Sequence, residues 1–317
     1  MRIKDSPSDF VVQEIPSRAF SEEGKYFVYK ATKTDLTTHE MVKRLAQQNN
    51  LLAKQIRYAG TKDRRAITTQ YLTAPQALKN QDELIQLELV GRANDHLGLG
   101  DLQANEFLIT VYDVQTTHEV AIPNYFGEQR FSSDNKEIGV LLLTGEFLAA
   151  AHRLQDQFPV IKEHLREKPN DAVSALRQAP LKILLLYVHS VQSWLYNQAV
   201  SAYVKDCYDE YREVPYSQGV LRFPYKPLPD KQVPLVGAVN ELGAWERYYQ
   251  PLLDKLGLGQ HNFMVRQFPQ LTQEGTNRAL QADVRAQEVQ LKDQTATVKL
   301  TLGPGCYATI ALKGLLS

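Results

Sequence analysis

Apolar and polar positions follow two different periods along this chain. DFVVQEI, where Phe10 alternates with Val12, predicts a strand. A turn at Glu23-Gly24 and the run YFVYKATK predict its hairpin partner. Thr37 and Glu40 then form a Thr-x-x-Glu capping box ahead of HEMVKRLAQQNN, a helix with Met41, Val42 and Leu45 on one side and an Asn49-Asn50 stop. KQIRYAG and ITTQYLTA predict two strands joined by the polar loop TKDRRA. ELIQLELVGRA and NEFLITVYDV predict two more. After IPNYFGEQRF the period lengthens, and helical patterning runs from GVLLLTGEFLAAAHRL through LKILLLYVHSVQSWLYNQAVSAYV. Residues 214–237 are Pro-rich and extended. The end predicts two strands, a Pro-Gly turn and a last amphipathic piece.

Strands at both ends with helices between them predict an α+β domain interrupted by a helical insertion. The length, 317 residues, suits two domains. The most apolar stretch carries His189, Gln192 and Asn197 near its middle, so a buried helix fits it better than a membrane span. Cys207 and Cys306 lie far apart and offer neither a disulfide framework nor a zinc spacing, which points to a reducing, cytoplasmic setting. The N-terminus has no apolar leader pattern.

Lys+Arg and Asp+Glu both total 36. A neutral chain argues against a sequence-blind nucleic-acid binder. The charge is uneven, however: from Lys43 to Arg65 there are seven basic residues and one acid, Asp63. Such a patch can attract a polyanion locally.

Asp63 in GTKDRR is flanked by cations that favour its ionised form, which suits attack at a sugar carbon. The alternative is a solvated turn, the commoner fate of charged loops. IPNYFGEQRF combines stacking rings (Tyr125, Phe126, Phe131) with the amides of Asn124 and Gln129, a set that reads extruded bases or forms an aromatic core under a turn. By pattern alone Phe10 is a strand core residue and Lys4 an exposed cation. The seven histidines make no metal-ligand spacing, and no dinucleotide fingerprint, P-loop or nucleophile elbow is present. No metal or cofactor is expected.

GTKDRRAITTQ resembles the signature around the catalytic aspartate of the tRNA pseudouridine synthase D (TruD) family, with Gly60, Lys62, Asp63, Arg64, Ala66, Thr68 and Gln70 in register. PNYFGEQRF, YVHSVQSWLYN (through His189, Gln192, Ser193, Leu195 and Asn197), PGCYATIALKGLL and SDFVVQEI are similar to four further family segments, in the family's order. The resemblance implies a pseudouridine synthase catalytic domain with a mixed, mainly antiparallel sheet over 1–149 plus 275–317, interrupted by a helix-rich TRUD domain over 150–274. It implies that Asp63 is the nucleophile, that Phe10, Asn124 and Phe126 contact a uridine, and that Lys4 is a basic partner of the pocket; Lys62, beside Asp63 in the same signature, is expected to bind substrate. It also implies a monomeric, cofactor-free, cytoplasmic enzyme that isomerises uridine 13 of tRNA. An RNA-binding or tRNA-chaperone protein on the same fold is the alternative.

Three departures bear on RNA choice. Ser132 replaces a glycine, the Tyr112–Pro123 connection is short, and Ala104-Asn105-Glu106-Phe107 replaces Gly-Asn-x-Phe.

Overall fold

The computed structural model of the chain describes residues 1–132 and 134–316. They form two compact units. Unit 1 comprises Met1–His118, Asp283–Ala308 and the last residues from Leu315; unit 2 comprises Glu119–Ala282 and Thr309–Gly314.

Seven strands come from the first segment of unit 1: β1 (Arg2–Ile3), β2 (Phe10–Pro16), β3 (Tyr26–Thr34), β4 (Arg57–Tyr58), β5 (Ile67–Ala74), β6 (Ile85–Ala93) and β7 (Leu102–Tyr112). Unit 2 supplies two ribbons, β8 (Tyr211–Tyr216) with β9 (Gly219–Pro224), and β10 (Gln232–Leu235) with β11 (Thr276–Ala279). The chain then returns to unit 1 for β12 (Val284–Lys292) and β13 (Thr295–Leu302).

The sheet of unit 1 runs β12-β13-β7-β2-β5-β3-β6, with β1 beside β7 and β4 beside β5. Every pairing is antiparallel except β2 with β5. This is the mixed, mainly antiparallel sheet expected from the sequence. One expectation fails: β2 and β3 are not a hairpin. β5 lies between them, parallel to β2 (Val11 opposite Ile67) and antiparallel to β3 (Phe27 opposite Ala74). Residues 17–25 are longer than a tight hairpin loop, so the chain can step over a strand, and the β-branched β5 takes the more buried place.

Helix α1 (Thr38–Gln48) begins with the expected capping box: Thr37 Oγ1 accepts from the Glu40 amide, and the Glu40 carboxylate accepts from the Thr37 amide. Its apolar stripe, Met41, Val42 and Leu45, packs with Ile56 and Leu72 into the core of unit 1. Capping box and core contact together fix where β4 leaves the helix, and hence where the following loop begins.

Unit 2 is helical: α2 (Asn135–Thr144), α3 (Phe147–Leu154), α4 (Pro159–Glu167), α5 (Ala172–Leu176), α6 (Leu181–Cys207) and α7 (Glu246–Leu256). Gly145, at φ 81°, supplies the left-handed residue that ends α2. The long helix α6 is the axis of the unit, and α2, α7, β9 and β10 pack on it. It is buried on most sides along its middle, where apolar residues alternate with buried Ser190, Gln192, Ser193, Asn197 and Ser201. Its buried hydroxyls are satisfied, Ser190 within the helix on the Tyr187 carbonyl (2.7 Å) and Ser201 across to the Val220 carbonyl of β9 (2.8 Å). No helix among the described residues is long and apolar enough to cross a membrane. The final helix, α8 (Ala308–Leu315), has its Lys313 and Gly314 carbonyls capped by the Arg212 guanidinium.

The contact boundaries fall after His118 and before Asp283, not near 149 and 275. Residues 119–149 side with the helical unit because α2 packs along α6, and because Pro123 pairs with Gln281.

Candidate active site

Asp63 stands on the loop between β4 and β5, its side chain 54% exposed. The loop is tied down from beneath. The Lys62 amide donates to Thr38 Oγ1 (2.9 Å), Thr38 Oγ1 donates to Gln70 Oε1 (2.8 Å), and Gln70 Nε2 donates to the Gly60 carbonyl (3.1 Å). Buried Lys33 on β3 donates to the Asp63 carbonyl (2.6 Å). Its burial pulls the ammonium down to about 8, only partly offset by the charge of Asp63.

The Lys62 side chain points inward. It is 8% exposed and pairs with the buried Glu14 carboxylate (2.6 Å) and with Asn105 Oδ1 (2.7 Å). Lys62, expected to bind substrate, is satisfied here by a buried acid and anchors the loop. Arg44 is likewise engaged, with Asp82 at 2.8 Å. Lys43, Lys54, Arg57, Arg64 and Arg65 remain exposed.

Lys4 is no loose terminal cation. Its ammonium lies 2.5 Å from Asp63 Oδ2 and 3.9 Å from the centre of the Phe10 ring. Its backbone is left-handed (φ 61°), a conformation that costs a non-glycine residue about 1–3 kcal/mol and is held only where the surroundings dictate it. They do: β1 pairs with β7 just before it, and Asp9 accepts from the Ser6 amide just after it (2.7 Å). That amide bond holds the Asp9 carboxyl below the usual carboxylate range. Phe10 is buried and meets Phe107 edge-on. Asp63 Oδ1 has no protein partner among the described residues, so one carboxylate oxygen is held and the other is available.

Unit 2 holds the second group. Asn124, 7% exposed, pairs its amide with the Leu280 carbonyl (2.8 Å). Arg278 on β11 clamps it twice, Nε donating to the backbone carbonyl (2.8 Å) and Nη2 to Oδ1 (2.6 Å). Because guanidinium only donates, the Asn124 amide is oriented with Nδ2 free to donate. The same guanidinium lies 4.1 Å from the centre of the Phe126 ring. Phe126 is gripped through its backbone: Asn197 of α6 accepts from its amide (2.8 Å) and donates to its carbonyl (3.0 Å). Tyr125 is fully buried, with its hydroxyl on the Arg222 backbone, and burial pushes that hydroxyl well up. Ser132 Oγ, where a glycine was expected, accepts from Asn135 Nδ2 (3.2 Å).

Against known proteins, the family model described as tRNA pseudouridine synthase D (TruD) matches residues 1–159, 159–215 and 230–315. The chain belongs to this family. A probable tRNA pseudouridine synthase D of Picrophilus torridus is 32% identical over an alignment of 254 positions that covers 65% of this chain and 61% of that relative. The tRNA pseudouridine synthase D of Aquifex aeolicus is 25% identical across 99% of this chain and 98% of its own. A crystal structure of the putative tRNA pseudouridine synthase D from Methanosarcina mazei shares the fold at a TM-score of 0.74, with 23% identity, over 99% of this chain and 92% of that one. The sequence match to a Methanosarcina mazei relative runs over 404 positions, more than this chain has residues, so that family member carries segments absent here.

In GTKDRRAITTQ, Lys62 and Gln70 hold the loop that presents Asp63. In YVHSVQSWLYN, Asn197 holds Phe126. Lys4, Phe10, Lys62 and Asp63 come together in unit 1, and Asn124 with Phe126 in unit 2. Sequence reasoning missed Arg278, Glu14 and Lys33. Glu14 and Lys33 did leave a signal: each is a charge on the inward face of an alternating strand, which demands a buried partner. Arg278 left none. No group of three or more potential metal-ligating side chains occurs among the described residues.

Proposed function

We propose that this protein isomerises uridine in tRNA to pseudouridine, at position 13 as the family resemblance implies, with Asp63 as the reacting carboxylate. The reaction breaks N1–C1′, turns the uracil, forms C5–C1′ and releases the C5 proton. It transfers no group and changes no oxidation state. Asp63 opens it by adding at the sugar or by promoting elimination, and both routes start from an ionised carboxylate with a free oxygen. The observation that carries this reading is the Asp63 side chain, restrained through Oδ2 by Lys4 and open at Oδ1.

In unit 1, Lys4 orients the carboxylate, Phe10 offers a ring edge to the base, and Lys62 acts through the loop it anchors. In unit 2, Asn124 Nδ2 donates to a uracil carbonyl and Phe126 supports the extruded ring, whose unstacking costs about a few kcal/mol. We assign the catalytic domain to 1–149 plus 275–317 and the TRUD insertion to 150–274, as functional divisions distinct from the contact units. Absence of a cofactor, a monomeric state and a cytoplasmic location belong to the same reading.

Asp63→Asn tests it. The variant is expected to lose at least about a thousandfold in tritium release from 5-tritiated uridine in tRNA while still binding the RNA. Undiminished release would remove Asp63 from the chemistry.

A further inference from the structure

Unit 2 contains a cavity of about 420 Å³ that shares Phe126 with the proposed uridine contacts but is otherwise lined by residues given no role above. Phe126, Arg130, His189, Gln192 and Gln273 line it, and Asn124 does not. His189 and Gln192 stand three residues apart on one face of α6.

Gln192 is 7% exposed. Its Nε2 donates to the Val236 carbonyl (2.7 Å), which fixes the amide. Oε1 is left as an acceptor with no protein partner among the described residues. That oxygen is not among the fully buried unpartnered atoms, so it opens to the cavity that Gln192 lines, where a donor can reach it.

His189 is fixed by the same logic one step removed. Gln273 Nε2 donates to the Leu271 and Thr272 carbonyls (3.1 and 3.0 Å), so Gln273 Oε1 must accept. His189 Nε2, 3.1 Å from that oxygen, is therefore the donor. Burial, and then the charge of Arg130, hold the imidazole below its ordinary value, so the ring is neutral and Nδ1 is a second acceptor. Arg130 adds positive charge, its guanidinium 5.6 Å from the centre of the Phe126 ring.

Two acceptors from one face of α6, an aromatic wall, the Arg130 cation and the acid Glu274 define what fits. An exocyclic amine brings two N–H donors on one nitrogen. Uracil brings one N–H between two carbonyls, and those carbonyls would face acceptors. We propose that this cavity is a second base pocket, taking an amino-bearing nucleobase (adenine, guanine or cytosine) of the RNA that also carries the target uridine. The inference rests on the proposed tRNA reading.

The test uses the full chain and a pool of nine-nucleotide RNAs with a central uridine and random neighbours. Bound RNAs are sequenced. At one fixed position an amino-bearing base is expected to be enriched over uracil about tenfold, and Gln192→Met is expected to abolish the enrichment. Removing the exocyclic amine from the preferred base in the RNA should weaken wild-type binding about tenfold and leave binding by Gln192→Met unchanged. The wild-type arm does not depend on how well any variant folds. Uracil tolerated equally at every position, or a wild type indifferent to loss of the amine, overturns the proposal. Pseudouridine formation in whole tRNA is measured alongside. Activity without base preference removes the pocket alone; base preference without activity removes the enzymatic reading alone.

Discussion

Arg278 and Lys33 do their work by holding other groups, and each has a measurable signature. The Arg278 fork reaches the Asn124 carbonyl and Oδ1 together while its flat face covers Phe126. Lysine keeps the charge but cannot make the planar, two-point contact. Arg278→Lys is expected to lower kcat for pseudouridine formation by about 10- to 100-fold, because a mis-set amide no longer meets the base squarely. A wild-type kcat in this variant would mean that Asn124 needs no clamp. Lys33 sets a pH dependence of stability. Its folded value of about 8 lies below the ordinary 10.5. Between those two values the unfolded chain binds more protons at this site than the folded chain, so this site's contribution to stability rises with pH. Below about pH 8 the penalty for a charged buried lysine is felt in full; above 10.5 it is gone. Denaturant titrations between those pH values should show wild type gaining stability relative to Lys33→Met. A constant difference across the window would contradict the assignment.

Elements were legible in the sequence to the extent that their determinants are local. The capping box at Thr37 marked the start of α1, and the Pro-Gly turn marked the end of β13. The Asp63 loop was legible because a run of charges precedes a β-branched strand, β5. Pairing was not legible: β5 between β2 and β3 depends on contacts remote in sequence, which alternation along one strand cannot report. Arg278 was missed for the same reason, since it meets Asn124 across 154 positions of chain. Helix packing in unit 2 makes a sharp prediction at this scale. Gly139 lets α2 approach α6 so closely that an added Cβ would lie 2.2 Å from the Tyr187 carbonyl oxygen. Backbone cannot yield as a flexible side chain can, so Gly139→Ala must push the helices apart. A loss of about 3 kcal/mol or more is expected, read as a fall in thermal midpoint. An unshifted midpoint would mean that α2 does not sit against α6 as described.

At the scale of the whole molecule, a net charge of zero gives no general attraction to RNA, so binding must come from where cations are exposed. The structure divides the Lys43–Arg65 cluster into two classes that the sequence could not separate. Lys62 and Arg44 are spent on Glu14 and Asp82, whereas Lys54, Arg57 and Arg64 face solvent. Only the second class can displace counterions from a phosphate backbone. Removing a cation that contacts a phosphate should flatten the dependence of log K on log salt by about 0.7–0.9. Arg57→Ala and Arg64→Ala are each expected to do so, and to weaken binding to every RNA alike. Lys62→Met provides the contrast. It should leave the salt slope unchanged but cost about 3–5 kcal/mol of stability, because Glu14 would be left buried and unpaired. Binding titrations across a range of potassium chloride, with melting curves for the same proteins, separate these outcomes. A slope that falls in Lys62→Met and holds in Arg64→Ala would reverse the division between anchoring and RNA-facing cations.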